Sequence, residues 1–497
     1  MNQIKIGAFL SYLTLLISVV VTLFYTPILI KQLGQAEYGV YTLIAAFVGY
    51  LTVLDMGLGN AIVRYIARTR ANNDRATESK LSGLFLVLFS ILGLLVAIIG
   101  FIMYLQLDNL FGAKITVDEL KLAKTLTLLL ILNFSLSFPL SVFGAIVQSH
   151  ERFIFLKFTN IIKVLITPFI IIPLLLLGEG SVMVVAVTTI LNLLFLLLNV
   201  YYAVFKLKVK ISFEKVDKHL LKEIVIYSAF IFLNAIMDKI YWSTDQIILG
   251  SVSGINQVAI YAIGMQFITL YMSIATAISG LYLPKVSIME KNKSTDEEFS
   301  DLFINTGHIQ ALIIFYAIGG FIAIGKDFIS IWLSDTYLKA YWIVVVIFIP
   351  LSVIWTQTIG IPILQAKNRH KFRSLVYLIT AIINIFVTIP LATKYGELGA
   401  AITTALFLTI SHIIIMNIYY YKAIKIDIIS FYKKIFPPFV IVFITIIMTL
   451  LLNKEVSFVE GWIKLILLIL FYTTMYVVLC VFLDKEIRNR FKRSMLK

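Results

Sequence analysis

The sequence predicts an all-α polytopic membrane protein, with about 14 transmembrane helices as two pseudo-symmetric six-helix lobes plus two C-terminal helices. Three observations carry that expectation. Of 497 residues, 60% are hydrophobic and 14% charged, and the mean hydropathy is +0.96. A soluble chain carries about a quarter charged residues and no long apolar runs. The apolar residues here gather into runs of about twenty or more, the length that crosses a hydrocarbon core of ~30 Å. Lysine and arginine are shared unequally between alternate loops, as in a membrane bundle with a fixed orientation.

The spans follow in order, each an apolar run bounded by charge or turn residues. The first seven lie near 8–30, 38–58, 81–105, 122–148, 153–177, 181–205 and 223–250. The second seven lie near 257–284, 303–325, 341–365, 372–393, 396–421, 434–453 and 460–483. Pro139, Pro168, Pro173, Pro350 and Pro390 fall inside spans. There they mark kinks, because neighbouring helices satisfy the freed backbone groups. The first run is too long for the apolar region of a cleavable signal, and no small-residue cleavage pattern follows it.

With the N-terminus inside, cytoplasmic segments hold 31 of the 42 Lys and Arg residues and external segments hold nine. Lys163 and Lys239 lie within spans. Positive charge is costly to translocate, so both termini are expected in the cytoplasm. The net charge of +15 therefore reports topology, and no nucleic-acid partner is expected. The run Lys206, Lys208, Lys210, Lys215, Lys218 and Lys222 reads as an anchor at an anionic leaflet. No loop is long enough for a globular domain, which argues against glycosyltransferases, polymerases and ligases with extramembrane catalytic parts.

The chain also repeats itself. Gln148, Arg152 and Pro173 recur 217 residues later as Gln365, Arg369 and Pro390. Gly178-Glu179 recurs 218 residues later as Gly396-Glu397, and Asn199, Tyr201 and Tyr202 as Asn417, Tyr419 and Tyr420. The match covers spans four to six against ten to twelve, while the first spans of each half align poorly. Six spans is an even number, so the halves share an orientation and a substrate path is expected between them. The expected organisation is a lobe over 1–217, a second over 218–430, and two further helices with a basic tail over 431–497.

The seventh span carries the clearest polar constellation. Asn234, Asp238, Tyr241 and Asp245 are spaced i, i+4, i+7 and i+11, one face of a helix. Lys239 lies on the adjacent stripe. Charges at mid-span are costly unless they face a wet cavity or one another. The two readings are a substrate site and ion pairs that hold helices together. Lys163, about ten residues into the fifth span, sits some 15 Å deep, beyond easy snorkelling. It either meets a lipid phosphate or pairs with an acid of the seventh span. The second span ends in Asp55-Met56-Gly57-Leu58-Gly59-Asn60, followed by Arg64 and Arg68. Asn60, Arg64 and Arg68 form a stripe that reads either as a cationic mouth or as ordinary anchoring.

Gly320 to Lys326 imitates a phosphate-binding loop. Asp327 replaces the hydroxyl residue that would hold magnesium, and the segment belongs to a span. The five histidines lack metal-site spacing, and the single cysteine, Cys480, permits no internal disulfide. No catalytic constellation, cofactor or metal site is expected, so the chain does not read as an enzyme.

With these residues in hand, the sequence resembles polysaccharide flippases of the O-antigen type, in the multidrug/oligosaccharidyl-lipid/polysaccharide exporter superfamily. The resembling stretches are Leu33-Gly34 with Tyr38-Gly39-Val40-Tyr41, then Asp55 to Gly59. Asp245-Gln246-Ile247-Ile248-Leu249-Gly250 with Val258-Ala259-Ile260-Tyr261, and Gln365-Ala366, complete the set. The resemblance implies two six-helix lobes around a central cavity in a bacterial plasma membrane. It implies translocation of an undecaprenyl-pyrophosphate-linked oligosaccharide for O-antigen or capsule synthesis. Lys239, Lys163 and Arg64 would meet the pyrophosphate; Asp238, Asp245, Asn234, Tyr241 and Asp55 would meet sugar or a coupling H+ or Na+. Membrane lipids and a polysaccharide polymerase or glycosyltransferase are the implied partners. A multidrug/cation antiporter and a lipid II flippase share the fold, and an assembly scaffold is a third reading. Lipid II flippases usually line their cavity with several arginines, which these spans do not offer.

Overall fold

The computed structural model describes residues 3–55, 57–214, 217–279, 282–456 and 460–489. Met56, Lys215 and the basic tail after residue 489 lie outside the described residues. The described residues form helices joined by short turns, with no strand among them. Hydrocarbon imposes this, since a helix satisfies its backbone polar groups within one segment. Among the described residues, eleven helical stretches are long and apolar enough to cross a membrane.

Two of the eleven are double. The first helix, α1 (Gln3–Val48), breaks at Gly34, where φ is 75°. The helix α14 (His370–Leu408) breaks at Gly396, where φ is 61°. Gly34 falls in the turn predicted between the first two spans, and Gly396 is the first residue of the predicted span 396–421. The expected seventh span, which is not among the eleven, is the long helix α8 (Lys218–Val252). The second span does not end near 58 as expected. A 3-10 segment (Gly49–Asp55) is followed by α2 (Leu58–Ala71), so the helical path continues to Ala71.

Residues 1–259 form one compact unit. It contains α3 (Arg75–Leu105), the short α4 (Leu107–Phe111), α5 (Val117–Ser149), α6 (Phe153–Leu176) and α7 (Ser181–Tyr201). Leu43, Ile44, Ile62, Tyr65, Phe85, Phe89 and Phe111 are buried in it. Its turns are fixed by side chains that take the orphan N–H groups of helix starts. Asp74 accepts from the Thr77 amide at 2.9 Å, and Thr116 and Glu119 form a reciprocal capping box. The seventh span packs with this unit.

Residues 260–497 form the second unit. It takes most of α9 (Ile255–Ser279), then α10 (Leu283–Lys291), α11 (Asp296–Trp332), α12 (Leu338–Thr356) and α13 (Gly360–Ala366). After α14 come α15 (Met416–Ala423), α16 (Ile428–Glu455) and α17 (Gly461–Leu483). The last two helices are built into the unit. The Tyr472 hydroxyl donates to the Tyr316 carbonyl at 2.8 Å, and that of Tyr476 to the Leu312 carbonyl at 2.7 Å.

Backbone conformation carries the repeat further than residue identity does. Left-handed residues pair at Glu151 and Asn368, and at Lys208 and Lys425, each pair 217 apart; Gly178 and Gly396 are 218 apart. Gly34 and Gly254, and Asn73 and Lys293, pair at 220 apart. Positive φ is uncommon outside glycine, so these turns extend the repeat into the first spans, where residue identity is lost. The structure also corrects one register. Phe155 stacks on Tyr202 at 3.9 Å, and Phe372 stacks on Tyr419 at 4.2 Å. Tyr202 thus corresponds to Tyr419, 217 residues on, and not to Tyr420. Three consecutive tyrosines, 419–421, let the sequence be read in either register.

Candidate functional site

The second span and α8 run antiparallel, and their contacts can be followed residue by residue. Arg68 meets Glu223 at 3.4 Å, and the Arg64 guanidinium lies 4.6 Å from the centre of the Tyr227 ring. A Cβ on Gly57 would lie 2.4 Å from Ile231 Cβ, and one on Gly250 would lie 2.7 Å from Leu43. Beyond α8, a Cβ on Gly39 would lie 2.5 Å from Ile255. From Glu223 to Gly250 a helix rises about 40 Å at 1.5 Å per residue, the full thickness of a bilayer with its headgroups.

The break in the second span lies along this contact. Tyr50, in the 3-10 segment, donates its hydroxyl to the Lys239 carbonyl at 3.2 Å and also pairs with the Thr244 hydroxyl. The Lys239 ammonium rests against Gly49, 3.2 Å from where a Cβ would stand. A side chain at position 49 would displace it. Gly57 has φ 68°, so the turn into α2 needs glycine both for conformation and for the approach of Ile231. Asp55 is occupied locally. Its carboxylate accepts the Gly59 backbone N–H in the first turn of α2, the position where anionic caps satisfy orphan donors.

The predicted residues separate into two places. Asp238, Lys239, Tyr241 and Asp245 lie on α8, where Asp238 is exposed, Lys239 half-buried, and Tyr241 and Asp245 buried. Asn234 belongs to the same helix, but its side chain lies outside the described residues. Arg64, Arg68 and Asn60 form an exposed stripe on α2, opposite the first half of α8. Arg64 spends part of its charge on the Tyr227 face, a cation–π contact.

Lys163 is elsewhere. Its Nζ donates to Asn192 Oδ1 at 2.6 Å, and Asn192 Nδ2 donates to Asn133 Oδ1 and Ser137 Oγ, both at 2.8 Å. The partner is therefore an amide of α7, not an acid of the seventh span. Thr159 and Thr167, four residues before and after Lys163, return their hydroxyls to backbone carbonyls of α6, as threonines in apolar helices do. Asn133, Ser137, Asn192, Tyr50 and Tyr227 were not singled out from sequence. The asparagines had a signal, being amides within apolar runs; the two tyrosines had none.

The arrangement can bind and orient. It offers cations and carboxylates along one antiparallel helix pair, with one helix interrupted. Among the described residues no group of three His, Cys, Asp or Glu side chains could hold a metal ion. Gly320–Lys326 lies within α11, and Asp327 accepts from Asn453 at 2.8 Å and Lys464 at 3.2 Å, so no phosphate loop forms there.

A family model described as polysaccharide biosynthesis protein matches residues 6–287. The chain is 24% identical over 403 residues to a candidate O-antigen transporter of Shigella flexneri, covering 79% of this chain and 91% of that one. It is 21% identical over 422 residues to the uncharacterized membrane protein EpsK of Bacillus subtilis, covering 81% and 80%. Among solved structures it resembles the lipid II flippase MurJ in an inward closed conformation, with a TM-score of 0.73 and 16% identity over 99% of this chain and 100% of that one. An inward-facing multidrug resistance MATE family transporter gives a TM-score of 0.64 at 16% identity, covering 83% and 99%. At these identities the structural likeness shows the fold alone.

Proposed function

Because the chain belongs to the polysaccharide biosynthesis protein family, we propose that it is a flippase for lipid-linked oligosaccharide. Its cargo is an undecaprenyl-pyrophosphate-linked repeat unit, moved from the cytoplasmic to the outer face of a bacterial plasma membrane for O-antigen or capsule synthesis. The observation that carries this reading is Lys239, held mid-span against Gly49 at the interrupted second span, with exposed Asp238 beside it. A charge at that depth is stable where it meets water, a polar ligand or an opposite charge, and the first two are what a cargo site supplies. Interrupted helices are how membrane transporters build such sites.

In this reading Lys239 and Arg64 compensate the pyrophosphate. Asp238, Asp245, Asn234 and Tyr241 meet sugar hydroxyls or a coupling cation, H+ or Na+, and Asp55 holds the start of α2 beneath them. The lobes 1–217 and 218–430, followed by 431–497, are the parts that exchange access, with both termini in the cytoplasm. A polymerase or glycosyltransferase would act on either side of the step. The test is surface polysaccharide in cells that carry Lys239→Ala as the sole copy. We expect polysaccharide to be lost at unchanged protein abundance; normal polysaccharide would remove Lys239 from the mechanism.

A multidrug/cation antiporter is the second reading, favoured by the buried Asp245 and the fold shared with a MATE transporter. Drug-resistance profiling of a deletion separates the two. Altered resistance with intact polysaccharide would select the antiporter.

A further inference from the structure

The helices α6 and α7 enclose a cleft of about 310 Å³. Its polar lining is Gln148, Lys157, Thr159, Asn160, Lys163, Asn192 and Asn199, with no carboxylate among the lining residues. We propose that this cleft binds the phosphorylated, hydroxyl-bearing headgroup of a membrane lipid, at a place distinct from the proposed cargo residues of α8.

Charge is the first argument. The cleft holds two lysines, and among the described residues neither makes an ion pair. Lys163 keeps only the neutral Asn192 amide, which spends one of three ammonium donors. Among the described residues Lys157 makes no side-chain hydrogen bond, so its donors and those left on Lys163 suit the oxygens of a phosphate. The Asn199 amide oxygen is a buried acceptor with no donor, which a glycerol or sugar hydroxyl would supply. Phosphate with adjacent hydroxyls satisfies both demands; a choline headgroup satisfies neither the acceptor nor the charge balance.

The repeat supplies the control. At an offset of 217, Leu156, Phe195 and Asn199 correspond to Arg373, His412 and Met416, and those three line a cavity of about 40 Å³ in the second unit. There Lys157 and Lys163 are replaced by Ser374 and Thr380, and Asn160 by Tyr377. The one cation of that cavity, Arg373, rests on the Tyr377 ring at 5.2 Å, and His412 meets the same ring at 4.4 Å. Where the two lysines are replaced, the corresponding position is narrowed to about 40 Å³. The open, cationic version is particular to the first unit.

Apolar surface beside the cleft fits the rest of a lipid. Phe158 on α6 and Leu194 and Leu198 on α7 are exposed, where acyl or prenyl chains would lie. Glycerophospholipid and polyprenyl pyrophosphate both carry the required headgroup chemistry.

The experiment is native mass spectrometry of the full chain, delipidated and offered phosphatidylglycerol, phosphatidylcholine, a polyprenyl-pyrophosphate saccharide or inorganic phosphate alone. We expect one lipid to be retained with about a tenfold preference over phosphatidylcholine, and that preference to fall to near unity in Lys157→Gln/Lys163→Gln. Lys157→Gln alone, which breaks no hydrogen bond among the described residues, should lower it severalfold at unchanged melting temperature. Lys31→Gln should leave it intact. Retention of phosphatidylglycerol or of the polyprenyl pyrophosphate identifies the source. Equal retention of phosphatidylcholine, binding of inorganic phosphate only, or undiminished binding in the double variant overturns the proposal. None of these readouts requires transport.

Discussion

His308 Nε2 lies 2.7 Å from Asp484 Oδ2, although 176 residues separate them and both side chains are buried. The contact joins the middle of α11 to the residue that ends α17. With the Tyr472 and Tyr476 hydroxyls on the same helix, it makes the C-terminal pair part of the second unit. Removing His308 leaves the buried Asp484 with the Glu486 and Ile487 amides as donors, and breaking a buried pair of this kind costs about 3–5 kcal/mol. His308→Ala should therefore lower the melting temperature of the purified chain sharply. His308→Leu/Asp484→Leu, which leaves no buried carboxylate or imidazole but frees the Glu486 and Ile487 amides that Asp484 accepts, should recover part of it. Equal melting of His308→Ala and wild type would contradict this.

Beside that contact, Glu486 is hydrogen-bonded to the Lys434 ammonium, which holds its carboxyl below the usual range. A depressed carboxylate stabilises the fold above its unfolded pKa, and that contribution disappears as pH falls through the folded value. The pair is about one-third exposed, so it contributes only ~0.2–1 kcal/mol. Glu486→Gln should melt slightly lower than wild type at pH 7, and the gap should close below about pH 4. A gap that stays constant from pH 7 to pH 3 would show that the charge is not responsible.

Gly57→Ala should be costly for two separable reasons. The φ of 68° strains an alanine by about 1–2 kcal/mol, and the new methyl would meet Ile231 Cβ at 2.4 Å. Overpacking of this kind adds about 1–3 kcal/mol. Thermal unfolding should show a clear loss; in an Ile231→Gly background, which removes the Cβ that the methyl would meet, only the steric part of that loss should disappear. A neutral Gly57→Ala would mean that the turn into α2 is not fixed as described.

The helices were readable because lipid admits only saturated backbones, so long apolar runs become spans. The interruption at 49–57 was not. Leu51 and Val53 read as ordinary span residues, and nothing before Gly57 announces a 3-10 turn. The repeat was visible where Gln148 and Gln365 keep their identity. It was invisible where Asn73 and Lys293 share only a backbone conformation. The seventh-span constellation could be found by periodicity on a single helix. Lys163 and Asn192, or His308 and Asp484, could not, because periodicity relates residues within one helix and these pairs are made by packing between helices.

Translocation should depend on Lys239. The measurement is flipping of a labelled undecaprenyl-pyrophosphate saccharide in proteoliposomes of the full chain, with and without H+ or Na+ gradients, beside Lys239→Ala and a lipid II arm. The expected result is protein-dependent flipping of the saccharide lipid that Lys239→Ala reduces at least tenfold, a loss of about 1.4 kcal/mol or more. Flipping at the wild-type rate by Lys239→Ala, or none by the wild type under any gradient, would contradict it.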